Sequence, residues 1–280
     1  MHCTQYIVSV NIKQDGGVKD VYASSFGEPH KVLPVAVIKS NTTSIDTFTL
    51  VIVRCTGNLT WLVDVPKDWK IVIYEKCLSL TEPISQNSIA TAMNEGAEEC
   101  NGYLDYIVDY YHNLTSVTVF MHDDGLAPWS KWKGESAHTP FISFTDLAHA
   151  VTTHLTKNQG FVQLGVSRIN ESWGTNGYHG LAQKVLWPYI RSDQYPNPPE
   201  IIAFKPSAHM AVRQEQIQLR SQGTYEAMLQ QVRYTNSVPN HLDARQMCCA
   251  LERSWHMLFG EPPELSLKAD LLHQLNAALE

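Results

Sequence analysis

The stretch FTLVIVRC, residues 48–55, is an almost unbroken apolar run rich in β-branched residues. A strand with one wet face alternates polar and apolar positions. A run without alternation suits a strand covered on both faces, as in a parallel sheet between helices. WKIVIYEKC (69–77) and SVTVFM (116–121) repeat the pattern. Between the first two runs lies NLTWLVDV (58–65), a short helix candidate that Asn58 can cap. Between the second and third lies SIATAMNEGAEECNGYLDYIVDYYHNL (88–114), which contains the clearest helix. Tyr103, Leu104, Ile107, Val108 and Tyr111 fall on one face there, and Glu95, Glu98 and Glu99 stand near its positive dipole end. The order β-α-β-α-β from Phe48 to Met121 predicts half of a doubly wound α/β sheet.

On either side the pattern changes. Residues 1–45 are rich in strand and turn signals and form a strand-rich amino-terminal extension; residues 46–280 then make a single α/β domain. Beyond Gly125 the chain passes through an aromatic loop, APWSKWKGESAHTPF. A helix (FTDLAHAVTTHL), a strand (GFVQLGVSRI) and a long Gly- and aromatic-rich loop (NESWGTNGYHG) follow. Helices are predicted again in the stretch up to Tyr234, in DARQMCCALERSWHMLF, closed by Gly260 and Pro262-Pro263, and in LSLKADLLHQLNAALE.

The formal charge of −7 excludes a basic face for nonspecific nucleic-acid binding. No window reaches the roughly 18 apolar residues that a membrane span needs. The opening residues, MHCTQYIVSVNIKQD, carry no secretory signal pattern. The expected location is therefore cytoplasmic, with the six cysteines reduced and mostly buried. On that expectation the sequons at Asn41, Asn58, Asn113 and Asn170 carry no glycan.

Ligands of open α/β sheets bind outside the carboxyl ends of the strands. Three strand ends carry chemistry here. Arg54 ends the first run and Lys76 the second; His122-Asp123-Asp124 ends the third, before Gly125. Aspartates there suit Mg2+ or Mn2+ bridging a diphosphate, and arginine or lysine suits phosphate directly. Asp-Gly is also a turn signal in its own right. Trp61, Trp129, Trp132, Trp173 and Tyr178 stand in or near the loops above that edge, as stacking faces or as packing. No GxGxxG, P-loop or GxSxG occurs, which removes the main support for dehydrogenase, ATPase and α/β-hydrolase readings.

Several segments together resemble a large family of unknown function found in fungi, algae and bacteria. Arg54, Leu59, Thr60 and Trp61 match its opening block, with Gly57 and Asn58 where acidic residues are usual. Tyr74 and Lys76 match its Tyr-x-Lys strand end. The fullest match runs through Asn94, Gly96, Glu98, Tyr103, Leu104, Ile107, Leu114 and His122. Glu252, Trp255, Phe259 and Gly260 match its carboxyl-terminal block, so the resemblance covers residues 48–262. The first strand, turn and helix of that family look like the start of GT-A glycosyltransferases. The chain also resembles glycosyltransferases encoded by large viruses of green algae.

The resemblance implies a GT-A-like, mostly parallel sheet flanked by helices, with a helical carboxyl terminus. It implies a nucleotide-sugar donor, UDP-linked and with a pentose such as xylose. The acceptor would be a glycan or glycoprotein, such as a viral capsid glycoprotein in the host cytoplasm. Donor-binding residues would be Arg54, Trp61, Lys76, Asn94, Glu98 and Asp123. Mn2+ or Mg2+ would be held by Asp124, Asp123 and His122, with His122 in place of the usual first acid. Glu252 is the candidate base towards the acceptor and His209 the second candidate. A metal-dependent hydrolase of phosphoesters or sugar nucleotides is the alternative, and a carbohydrate-binding protein without catalysis the third reading.

Overall fold

The computed structural model describes residues 6–10, 21–25, 46–55, 59–76, 88–92, 98–123, 143–155, 160–164, 169–174, 177–204, 208–234 and 244–264. Its strands are β1 (Tyr6–Val10), β2 (Val21–Ser25), β3 (Phe48–Arg54), β4 (Lys70–Glu75), β5 (Ser88–Ala92), β6 (Val117–His122), β7 (Phe161–Gln163), β8 (Ile169–Ser172), β9 (Ile201–Phe204) and β10 (Met210–Arg213). Its α-helices are α1 (Glu99–Tyr110), α2 (Phe144–His154), α3 (Gly177–Ile190), α4 (Gln214–Ile217), α5 (Gln222–Tyr234), α6 (Ala244–Glu252) and α7 (Trp255–Leu258). The short helix expected after β3 is a 3-10 helix, Thr60–Asp64; Asn58, its expected cap, lies outside the described residues.

All three apolar runs are strands of one eight-stranded sheet, ordered β2-β1-β5-β4-β3-β6-β10-β7. β3 is buried along its whole length. Its Leu50 and Ile52 face the 3-10 helix and α2, while Val51 and Val53 face the other layer, built from α1, α3, α5, α6 and α7. That two-sided burial is why the run lacks polar alternation. β8 and β9 form a separate two-stranded antiparallel ribbon.

The expectation of a mostly parallel sheet holds at the centre alone. β5-β4, β4-β3 and β3-β6 pair in parallel. β10 enters at the carboxyl end of β6 and runs back beside it, so it pairs antiparallel with both β6 and β7. On the other flank β1 pairs antiparallel with β2 and with β5, which brings the amino-terminal strands into the same sheet. Several elements escaped the sequence reading. SIATA is a fourth central strand, β5; Ile201–Phe204 is β9; and the Gly- and Pro-containing stretch from Gly177 is the helix α3, with Pro188 inside it. The single strand expected over GFVQLGVSRI is instead β7 and β8, which belong to different sheets. The helix predicted for LSLKADLLHQLNAALE lies outside the described residues.

The expectation of reduced thiols fails. Cys100, in the first turn of α1, is disulfide-bonded to Cys248 on α6, with Cα atoms 5.3 Å apart. Both residues are buried where the two helices meet, which brings their side chains within bonding reach. Cys55 is disulfide-bonded too, and Cys249 is a free cysteine.

Candidate active site

The parallel strands β4, β3 and β6 all end on one edge, at Glu75, Arg54 and His122. β7 reaches the same edge at Gln163, and β10 leaves it just after His209, whose carbonyl accepts the Leu164 N–H at 2.9 Å. Two helices close on it. Glu98 precedes α1, and its side chain meets Lys76 beyond β4. Glu252 ends α6, and its carbonyl accepts the Gln163 Nε2 amide at 3.3 Å. Side chains distant in sequence thus converge where helix termini and strand ends meet.

Arg54 sits beneath this edge rather than open upon it, at 4% exposure. Its Nη1 lies 3.2 Å from Glu75 Oε1, and Glu75 is fully buried. The two residues stand opposite each other in the β3–β4 register, so the parallel pairing itself aligns the ions. An ion pair this deep holds its partners through the cost of leaving either charge alone.

Lys76 is more open. Its ammonium lies 2.5 Å from Glu98 Oε2, and about a quarter of each side chain reaches solvent. Its backbone N–H bonds the Arg54 carbonyl at 2.6 Å, which carries the β3–β4 pairing one residue past the strand. The Glu98 N–H bonds Asn101 Oδ1 at 3.3 Å, fixing the entry to α1.

Asp123 ties the ends of β6 and β3 together. Its Oδ2 accepts the Cys55 N–H at 3.0 Å, and its carbonyl accepts Trp61 Nε1–H at 2.8 Å. Trp61 also stacks on Phe144, with centroids 5.4 Å apart and planes 7° from parallel. Its indole N–H is therefore committed to the end of β6, and one ring face is packed on α2.

His209 is fully buried, and its Nε2 accepts the His122 backbone N–H at 3.1 Å. A nitrogen accepting in this way carries no proton, so the ring is neutral with its proton on Nδ1. The two imidazoles meet edge to face at 5.0 Å. His209 fastens β6 at the point where the sheet opens.

Glu252 faces a mixed field. Burial raises its carboxyl above the usual range, Arg253 pulls it down, Glu99 raises it, His122 lowers it and Glu171 raises it. Arg253 is itself paired with Glu171, Nε to Oε1 at 3.0 Å, and Gln183 Nε2 bonds the same oxygen at 3.2 Å. Because Arg253 is shared with Glu171, it offsets the burial of Glu252 only in part. A desolvated carboxylate at the rim of a sheet edge can take and return a proton nearer neutrality than an exposed one.

The sequence-predicted residues Arg54, Trp61, Lys76, Glu98, His122, Asp123, His209 and Glu252 all come to this edge. Asn94 and Asp124 lie outside the described residues, as do Trp129 and Trp132. Trp173 does not join them; it packs edge-to-face on Trp187, 5.4 Å away. Glu75, Glu99, Gln163, Glu171 and Arg253 were not predicted for the site. Glu75 carried the one readable signal, a charge closing an apolar strand.

Mn2+ or Mg2+ at His122-Asp123-Asp124 can be tested on the described part of that group. Asp123 spends Oδ2 on a backbone amide, and the His122 main chain is turned to His209. Among the described residues no three His, Cys, Asp or Glu side chains gather into a group that could hold a metal ion. Asp124, the expected ligand next to Asp123, lies outside the described residues. Nor is any helix among the described residues long and apolar enough to cross a membrane.

A sequence model of the DUF3431 family, described as "Protein of unknown function", matches residues 50–270. No curated protein matches the chain. Among solved structures it is similar to the mannosyltransferase PcManGT from Pyrobaculum calidifontis, in complex with GDP-Man and Mn2+. The identity is 10%, over 85% of this chain and 81% of that one, with a TM-score of 0.34. It is also similar to residues 1–349 of S. aureus TarS, at 12% identity over 79% of this chain and 58% of that one, with a TM-score of 0.32. Both likenesses are too loose to transfer a site or an activity.

Proposed function

The chain belongs to the DUF3431 family of proteins of unknown function, and from that premise we propose that it is a glycosyltransferase working at the carboxyl edge of β4, β3 and β6. The observation that supports the reading is that a half-open cation, Lys76, beyond β4, and a desolvated carboxylate, Glu252, at the end of α6, belong to the same sheet edge. Transfer of a sugar needs both signs of charge. The departing nucleoside diphosphate gains negative charge, and the Lys76 ammonium compensates it once the diphosphate competes with Glu98. The acceptor hydroxyl must lose a proton as its oxygen attacks the anomeric carbon. Glu252 takes that proton, with inversion at carbon. Arg54, His209 and Asp123 hold the strand ends that place these two groups.

The sequence resemblance alone supports the finer terms: a UDP-linked donor, a pentose such as xylose and a glycan acceptor. The experiment is incubation with UDP- and GDP-sugars, with and without glycan acceptors and with and without Mn2+, following nucleoside diphosphate. Release that requires an acceptor supports transfer. Release at the same rate without acceptor supports the hydrolase reading, and no release under any condition overturns both.

A further inference from the structure

The Asn-Leu-Thr sequon at 113–115 loses its significance only if the chain stays among reduced thiols, and the sulfurs contradict that. Cys100 and Cys248 are joined across 148 residues of sequence, and Cys55 is bonded as well. Bonds of this kind form and persist in oxidising compartments and are rare where glutathione keeps thiols reduced. Asn-X-Ser/Thr acceptance of a glycan belongs to the same oxidising route.

The fold then separates the two described sequons. Asn113 is exposed in the bend that follows α1, and its N–H bonds the Tyr110 carbonyl at 2.7 Å. α1 starts beside Lys76 and runs away from the candidate edge, while β6 begins at Val117, so Asn113 stands at the opposite end of the sheet. A bulky hydrophilic chain there leaves the candidate active site open. Asn170 is exposed too, but it lies within β8, opposite Ala203 of β9, rather than in a bend. In the folded chain the Thr115 hydroxyl donates within 2.9 Å of both Thr49 Oγ1 and the Val117 carbonyl. The sequon must therefore be read before β6 docks against β3, during synthesis.

We propose that this chain folds in an oxidising compartment and carries an N-linked glycan on Asn113. The co-reactant is an oligosaccharide joined through a diphosphate to a lipid. Asn113 Nδ2 forms a bond to the anomeric carbon, the bond from that carbon to the diphosphate oxygen breaks, the lipid diphosphate leaves with the electron pair, and one amide proton passes to a base of the oligosaccharide-transferring enzyme. This inference is independent of the proposed activity.

The test is expression of the complete natural gene in eukaryotic cells, followed by intact mass before and after peptide-N-glycosidase. The wild type is expected to lose the mass of a glycan, and Asn113→Gln to lack that glycan while folding normally. Thr115→Ala provides a second route, because it destroys the sequon and leaves the asparagine. Alkylation without reductant is expected to leave Cys100 and Cys248 unlabelled. Any one of three results overturns the proposal: no change with the glycosidase, a glycan mass in both variants equal to that of the wild type, or full labelling of Cys100 and Cys248 in the native protein.

Discussion

At the scale of single residues, burial sets the chemistry of Glu252 and His256 in opposite directions. Desolvation raises the Glu252 carboxyl, so its proton-accepting form appears at higher pH than for an exposed glutamate. Glu252→Gln keeps shape and removes the base. The expected outcome is a fall in kcat of about 10²–10⁴-fold with an unchanged melting temperature; activity within a few-fold of wild type would remove Glu252 from the reaction. His256 is fully buried, its Nε2 lies 3.0 Å from the Pro263 carbonyl, and burial lowers its pKa from 6.5 to about 4. The unfolded chain therefore binds a proton that the folded chain refuses between those values. Its stabilising contribution is complete above pH 6.5 and is lost as pH falls towards 4, by roughly 3 kcal/mol at most. The half-buried carboxyls Glu252 and Glu261 are raised and act with the opposite sign, so the histidine must be isolated by substitution. Urea titrations at pH 7 and pH 4.5 are expected to show a smaller acid loss in His256→Gln than in the wild type. Equal losses would contradict the assignment.

At the scale of elements, the disulfide ties α1 to α6, which are also the helices that deliver Glu98 and Glu252 to the edge. Closing so long a loop restricts the unfolded chain strongly, and its removal typically costs about 2–4 kcal/mol. Cys100→Ser with Cys248→Ser is expected to lower the urea midpoint by a corresponding amount, and to loosen the edge enough to raise KM for donor. A midpoint that does not move would show that the clamp carries no stability.

The elements also show how much was legible in advance. β3, β4 and β6 were readable because burial on both faces leaves an unbroken apolar run that only a strand of that length explains. α1 was readable because its apolar positions recur at helical spacing. The end of α7 was readable from Gly260, which has a φ of 88° and where a side chain would meet Leu219 Cδ1 at 2.6 Å. β5 was not, since SIATA alternates small and weakly apolar residues beside a strong helical pattern that absorbed it. α3 was hidden by its own glycines and Pro188, breakers that are outweighed by the burial of Ala182, Leu186, Trp187 and Ile190. Within the site, residues at strand ends could be nominated from position alone. The pairings of Arg54 with Glu75 and Arg253 with Glu171 could not, because they depend on register and on the ribbon β8–β9.

At the scale of the whole molecule, the mixed sheet brings Arg54, Trp61, Lys76, Glu98, His122, Asp123, His209 and Glu252 to one edge and leaves Trp173 elsewhere, and it does so with three parallel pairings at its centre and antiparallel strands on both flanks. The claim that a nucleotide sugar works there depends most on Lys76, the open cation of the group. The decisive measurement is calorimetric titration of UDP- and GDP-sugars into the wild type and Lys76→Ala, with the melting temperature of both recorded. The wild type is expected to bind one nucleotide sugar, and the variant to bind the same ligand at least about tenfold more weakly, the loss of one charge-assisted phosphate contact, while melting as before. Equal affinity in the two proteins, or no binding of any nucleotide sugar by the wild type, would contradict the account.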